Sequence, residues 1–140
     1  MRRAAEHFED RFTAAELIDM AEGRVQTQTR GFGVDGSPTA NAREDLAAAL
    51  EKGERWTEAR VLREEVLAAR RRNIGEDAVL TLAAEGRLAL NLSHGEQWAE
   101  ALPLAIHARD SYRKLGDSER ADQLEQVVIS IRSDGALGGD

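Results

Sequence analysis

Apolar residues recur at helical spacing through most of the chain, and this pattern predicts helices rather than strands. One run contains Leu46, Ala47 and Leu50 and stops at Gly53. A second run begins near Trp56, and spacings of three and four place its apolar residues on one helix face. These residues are Ala59, Leu62, Val66 and Leu67. The pattern therefore predicts two helices joined by a tight turn.

The same two-helix pattern occurs twice, 42 residues apart. The segment 53–59, Gly-Glu-Arg-Trp-Thr-Glu-Ala, reappears at 95–101 as Gly-Glu-Gln-Trp-Ala-Glu-Ala. The other pairs at this offset are Gly33 with Gly75, Asp35 with Asp77, Thr39 with Thr81, Leu46-Ala47 with Leu88-Ala89, and Leu50 with Leu92. Because the glycines and tryptophans recur as well as the alanines, the matches indicate an internal repeat.

We expect repeat units at about 33–74 and 75–115. Ser37 and Pro38 fit the start of the first helix of unit one, as N-cap and first helical residue, and Asp77 fits the N-cap position of unit two. Ala59 and Ala101 stand where two helices joined by a tight turn cross closely, so a small side chain is expected there.

The flanks extend this plan to a single domain over residues 1–131. A degenerate first pair is predicted at 3–28, with helices at 3–11 and 14–28 and a capping box at Thr13 and Glu16. A capping helix is predicted at 117–131, starting at Asp117, and a disordered tail at 132–140. The residues expected to pack the first pair are Phe8, Phe12, Leu17 and Met20.

These motifs resemble the tetratricopeptide repeat family, in the 42-residue variety of kinesin light chains. The likeness rests on Gly33-x-Asp35, Thr39, Leu46-Ala47, Trp56-x-Glu58-Ala59 and their counterparts one unit later. It implies an all-α, right-handed superhelical stack of antiparallel helix pairs, with about seven helices. Positions that depart from the family pattern are Asp45, Arg63, Arg87 and Ala105.

The resemblance also implies that the first helix of each unit lines a concave groove that binds a partner. The groove residues it implies are Asn41, Glu44, Asp45, Ala48, Glu51, Lys52, Ala83, Gly86, Arg87, Leu90, Ser93 and His94. The alternative is a merely solvated inner wall. Gly86 favours a close contact, because a glycine inside a helix costs about 0.5–1 kcal/mol relative to alanine.

Charge along this wall suggests a ligand chemistry. Glu44, Asp45 and Glu51 share one helix face, and Arg87 is expected to face Asp45 across the groove. A basic or amphipathic protein or peptide segment is therefore the expected partner, with an apolar residue near Leu90.

Composition argues against several other functions. The formal net charge is −7, which is poorly suited to a nucleic-acid backbone. The cluster Arg70, Arg71 and Arg72 either complements its own helix dipole or forms a small anion-binding spot. Cysteine is absent, and no apolar run approaches the roughly 18 residues of a membrane span. We therefore expect a cytoplasmic protein that binds neither nucleic acid nor membrane.

Candidate catalytic groups are sparse. His7, His94 and His107 form no metal-ligand or acid–base motif, and the glycine-rich segment 31–36 lacks the features of a phosphate-binding loop, which favours a connecting turn. Trp56 and Trp98 fit the seam between units better than a ligand-stacking site. We expect no enzyme activity, no metal and no cofactor.

The sequence thus predicts a protein-interaction scaffold or adaptor that binds a peptide or helix in its groove. Two alternatives stay open: a homo-oligomeric structural module, or a repeat module of a larger signalling or transcription-regulatory assembly.

Overall fold

The computed structural model describes residues 12–138 and contains only helices in that range. Short loops separate consecutive helices, so neighbours run antiparallel. The six helices are α1 (Ala14–Phe32), α2 (Ser37–Lys52), α3 (Trp56–Ile74), α4 (Val79–His94), α5 (Trp98–Lys114) and α6 (Ser118–Gly138). Each helix packs against the next, and α4 also contacts α6. The predicted all-α stack is confirmed with six helices in the described range; the seventh, predicted at 3–11, lies outside it.

The repeated glycines and threonines hold the loops between units. Gly33 and Gly75 adopt φ values of 82° and 91°, a region that favours glycine. The hydroxyls of Thr39 and Thr81, both fully buried, donate to the carbonyl oxygens of Gly33 and Gly75 at 2.7 Å. The 42-residue repeat of these residue types therefore preserves one loop geometry.

Four helix ends differ from the sequence-based expectation. Helix α2 begins at Ser37 with Gly36 as its N-cap residue, so Ser37 is not the cap and Pro38 is not the first helical residue. Helix α1 continues past residue 28 to Phe32 and ends at Gly33, whose N–H donates to the Thr29 carbonyl at 2.8 Å. Helix α4 begins at Val79 with Ala78 as its N-cap residue, so Asp77 is not the cap. Helix α6 runs to Gly138, beyond the expected end at residue 131.

Helix α6 extends because residues after 131 still have a packing partner. A Cβ on Gly135 would lie 3.3 Å from Cβ of Trp98, so glycine lets α6 approach that ring closely. This contact outweighs the low helix propensity of glycine. At the other end of the helix, Asp117 Oδ1 accepts from the Arg120 amide at 3.1 Å, as expected for the N-cap.

The first helix has the predicted capping box but a different packed face. Thr13 and Glu16 exchange side-chain and backbone hydrogen bonds. Ile18 is buried beside Leu46, whereas Leu17 and Met20 are exposed. The expected partner Phe8 and the segment 3–11 lie outside the described residues.

The core is built from small aliphatic side chains between successive helices. Ala59 and Ala101 are completely buried where α3 meets α2 and where α5 meets α4. Added volume at these positions has no space to occupy. The close helix crossings predicted from the alanines are therefore present.

We expect Ala59→Leu and Ala101→Leu each to lower the free energy of unfolding by about 1–3 kcal/mol through overpacking. Urea unfolding measures the change, with Ala48→Leu on the exposed side of α2 as the control. If all three midpoints equal that of the unmodified chain, Ala59 and Ala101 do not mark tight crossings.

Candidate partner-binding groove

Two adjoining pockets lie along helices α2, α4 and α6, and Arg87 and Leu90 line both of them. The first has a volume of about 350 Å³, and the second about 240 Å³. We call the two together the groove. The first pocket is lined by Ala48, Glu51, Lys52, Trp56, Arg63, Arg87, Leu90, Asn91 and His94. The second is lined by Leu82, Ala83, Gly86, Arg87, Leu90, Tyr112, Arg120, Gln123, Leu124 and Val127.

Most of the residues predicted for the groove line one of these pockets. The eight that do so are Ala48, Glu51, Lys52, Ala83, Gly86, Arg87, Leu90 and His94. Asn41, Glu44 and Asp45 line neither pocket. Asn41 bonds to the buried Arg70, and Glu44 bonds to Arg87, which lines both pockets. Ser93 is half-buried and also lies outside both pockets.

Glu51 is committed to an internal ion pair. Its two oxygens accept from the guanidinium of Arg63 at 2.7 and 3.3 Å, and Asn91 donates to the same carboxylate at 2.9 Å. Arg63 is only 7% exposed. Arg63, which departs from the family pattern, is therefore paired with Glu51 on the preceding helix. This charged pair holds the floor of the first pocket in place.

The predicted pairing of Arg87 with Asp45 is wrong. Arg87 donates to Glu44 at 2.9 Å, and Asp45 pairs with Arg24 of α1 at 3.1 Å. Glu44 and Asp45 are adjacent, so they project about 100° apart around the helix and turn toward different neighbours. The acidic wall is therefore largely neutralised by arginines of the chain itself, which removes the charge argument for a basic ligand.

Gly86 lies against helix α6 of the same chain, where Leu124 is its nearest neighbour. A Cβ at this position would lie 3.5 Å from Cδ2 of Leu124, an ordinary van der Waals distance. Residue 86 is buried beneath α6. An alanine would therefore fit at this position, so the close approach expected from this glycine is absent and Leu124 of α6 covers the site at ordinary contact distance.

The aromatic residues of the groove lie at its two ends. Trp56 stacks on His94 with ring centroids 4.8 Å apart and an interplanar angle of 10°, which joins the two repeat units as the seam interpretation predicts. In the second pocket, Arg120 lies 6.0 Å from the Tyr112 ring centre and bonds to Asp117 at 2.8 Å. Burial raises the pKa of the Tyr112 hydroxyl, and the bond from Arg120 lowers the pKa of Asp117.

Sequence reasoning missed the contribution of α6 and Tyr112 to the groove. It treated α6 only as a polar-faced cap, although α6 follows α5 just as α4 follows α3. Continuing the repeat into residues 118–131 would have placed a third wall there. The residues missed for this reason are Tyr112, Arg120, Gln123, Leu124 and Val127.

Other candidate groups have structural partners. Arg70 bonds to Asn41, Arg71 to Glu85 and Arg72 to Asp35, so the three adjacent arginines separate and form no common anion site. His107 Nδ1 lies 2.6 Å from the buried carboxylate of Glu85. His7 lies outside the described residues.

Two other kinds of site are absent from the part of the chain that the structure describes. In residues 12–138, no three His, Asp or Glu side chains cluster so as to hold a metal ion. None of the helices in this range combines the length and apolar content needed to cross a bilayer.

The helix arrangement is similar to that of solved tetratricopeptide-like structures. One is a crystal structure of nearly identical TPR-like repeats from Podosopora anserina, named for a kinesin light chain. It is 19% identical, with 87% of this chain and 68% of that chain covered and a TM-score of 0.62. Another is BtubC (BKLC) from P. vanneervenii, 14% identical, with 91% and 59% covered and a TM-score of 0.53.

These comparisons show the fold: an all-helical, tetratricopeptide-like solenoid, as the sequence resemblance predicted. The chain spans 59% of the length of BtubC. No protein-family model matches the sequence, and no curated protein matches it.

Proposed function

We propose that the chain is a non-catalytic protein-interaction module that holds a segment of a partner protein in the groove. The observation that carries this proposal is the continuity of the two pockets through Arg87 and Leu90. Leu90 is 41% exposed, so it offers apolar surface at the centre of a polar-rimmed depression. Such an arrangement suits an extended or helical segment with a central apolar side chain.

Charge in the groove favours an acidic segment over a basic one. The cations that line it are Lys52, Arg63, Arg87 and Arg120, and the lining carboxylate is that of Glu51. Arg63 and Glu51 neutralise each other. Arg87 and Arg120 each have about half of the side chain exposed and each donate to one carboxylate of the chain. Because a guanidinium has five N–H donors, both retain donors for carboxylates of a ligand.

We expect a Leu-centred peptide flanked by Glu to bind more tightly than the same peptide flanked by Gln or Lys. Reversing Arg87 to Glu should weaken binding of the Glu peptide by about tenfold, equal to about 1.4 kcal/mol, because it removes a charged hydrogen-bond donor. Binding should also weaken with added salt, since exposed charges are screened over about 8 Å at physiological ionic strength. Fluorescence anisotropy with labelled peptides measures both effects.

A matched control separates the groove from general charge effects. Arg60 lies outside both pockets and pairs with Glu64 and Glu100. Arg60→Glu makes the same charge change and should leave peptide affinity within twofold. Equal losses in Arg87→Glu and Arg60→Glu, or preference for the Lys peptide, would contradict the proposal. Light scattering of the free chain tests whether a second copy occupies the groove instead.

A further inference from the structure

We infer that Glu44 competes with a partner's carboxylate for Arg87 and thereby limits the affinity of the groove for acidic ligands, an inference that rests on the proposed function. Glu44 Oε1 accepts from Arg87 Nη1 at 2.9 Å, and its other oxygen lies 3.9 Å from Arg70 Nη2. Its side chain is 19% exposed. The carboxylate therefore sits between one arginine that lines both pockets and one that is buried behind the wall.

The two arginines differ in their freedom to change partner. Arg70 is buried and is held by Asn41 at 2.9 Å and by Ser37 at 3.5 Å, and its Nε–H has no acceptor. Arg87 is 48% exposed, and its hydrogen bond is to Glu44. An incoming carboxylate reaches Arg87 from the groove, whereas Glu44 stays beside the cation of Arg70. The cation of Arg70, whose Nη2 lies 3.9 Å from the second oxygen of Glu44, stabilises that carboxylate after it has left Arg87.

Only an acidic ligand takes part in this exchange. Arg87 has one carboxylate partner before and after binding, so the number of ion pairs does not fall. A neutral amide cannot replace Glu44, because a charged hydrogen bond is about twice as strong as a neutral one. Glu44 thus lowers the affinity for acidic ligands, which must displace it from Arg87, and leaves the affinity for neutral ligands unchanged.

Asp45 provides a matched comparison on the same helix. It is the next residue, carries the same charge and pairs with Arg24 at 3.1 Å instead of with Arg87. Removing either negative charge changes the net charge of the chain by the same amount. A difference between Glu44→Gln and Asp45→Asn therefore reports the contact with Arg87 rather than general electrostatic attraction.

The test measures dissociation constants of Leu-centred peptides flanked by Glu or by Gln for the unmodified chain, Glu44→Gln and Asp45→Asn. Releasing an ion pair of this exposure is worth up to about 1 kcal/mol, or about fivefold in affinity. We expect Glu44→Gln to tighten binding of the Glu peptide by about fivefold and to leave the Gln peptide unchanged. Asp45→Asn should change neither by more than about twofold.

Three outcomes overturn the inference. Equal tightening in both variants would assign the effect to net charge. If Glu44→Gln binds the Glu peptide with unchanged affinity but unfolds at a lower urea concentration, the ion pair between Glu44 and Arg87 only joins the two units. If the Glu peptide binds neither the unmodified chain nor Glu44→Gln, the groove does not bind acidic ligands. That result would contradict the proposed function.

Discussion

Replacing Glu51 with alanine is expected to lower the free energy of unfolding by about 3 kcal/mol. The substitution leaves the guanidinium of Arg63 buried without its carboxylate, and breaking a buried ion pair from one side costs about 3–5 kcal/mol. We expect the low end of this range because the Glu51 side chain keeps 18% of its surface exposed. Urea unfolding followed by circular dichroism measures the loss. Glu51→Lys should be worse, because it places two cations together.

Two further variants distinguish this mechanism from a general loss of charge. Glu64→Ala removes an exposed partner of Arg60 on helix α3 and should cost no more than about 0.5 kcal/mol. Replacing both Glu51 and Arg63 with methionine should restore most of the stability, because no buried charge then lacks a partner. Similar midpoints for Glu51→Ala and Glu64→Ala would show that the Arg63 pair is not buried in solution.

Deleting residues 117–140 is expected to unfold the chain or make it aggregate. The deletion removes three large buried side chains, Leu124, Val128 and Ile131, and uncovers their partners on α4 and α5. Each such side chain contributes about 1.5–3 kcal/mol by burial, and a domain of this size has only about 5–15 kcal/mol in total. The exposed apolar face would also promote association.

A shorter deletion of residues 132–140 provides the comparison. It removes the contact between Gly135 and Trp98 but keeps the buried residues up to Ile131. We expect a monomer whose unfolding free energy is lower by about 1 kcal/mol at most. Thermal melting and light scattering on both truncations measure the difference. A longer truncation that stays monomeric and melts with the full chain would mean that α6 does not complete the core.

The repeat units could be predicted from the sequence because special residues mark their ends. Gly33 and Gly75 adopt positive φ, and Thr39 and Thr81 occupy equivalent buried positions in the two units, where each hydroxyl bonds to the carbonyl of the loop glycine. Trp56 closes the seam between units by stacking on His94. These requirements involve residues that are a few positions or one repeat apart. The same residue types therefore recur at the repeat spacing in the sequence.

The ion pairs of the groove could not be predicted in the same way. Helical spacing places Glu44 and Glu51 on one face, with Asp45 about 100° away, but it does not fix which arginine each side chain reaches. That choice depends on how α1, α3 and α4 surround α2. The carboxylates that were predicted to form an acidic wall are therefore paired with arginines of the neighbouring helices.

The end of the last helix depended on a tertiary contact as well. Glycines at 135 and 138 indicate a disordered tail by local propensity. Packing of Gly135 on Trp98 instead carries α6 to Gly138. The sequence contains no local pattern for this contact, because the two residues belong to different helices.

Amide chemical-shift mapping with the Glu-flanked, Leu-centred peptide tests the central claim, that the groove is the binding surface. We expect the largest shifts at Ala48, Lys52, Gly86, Arg87 and Leu90, with weaker shifts elsewhere. Shifts confined to the surface around Arg60, Glu64 and Glu100, with the groove amides unmoved, would contradict it.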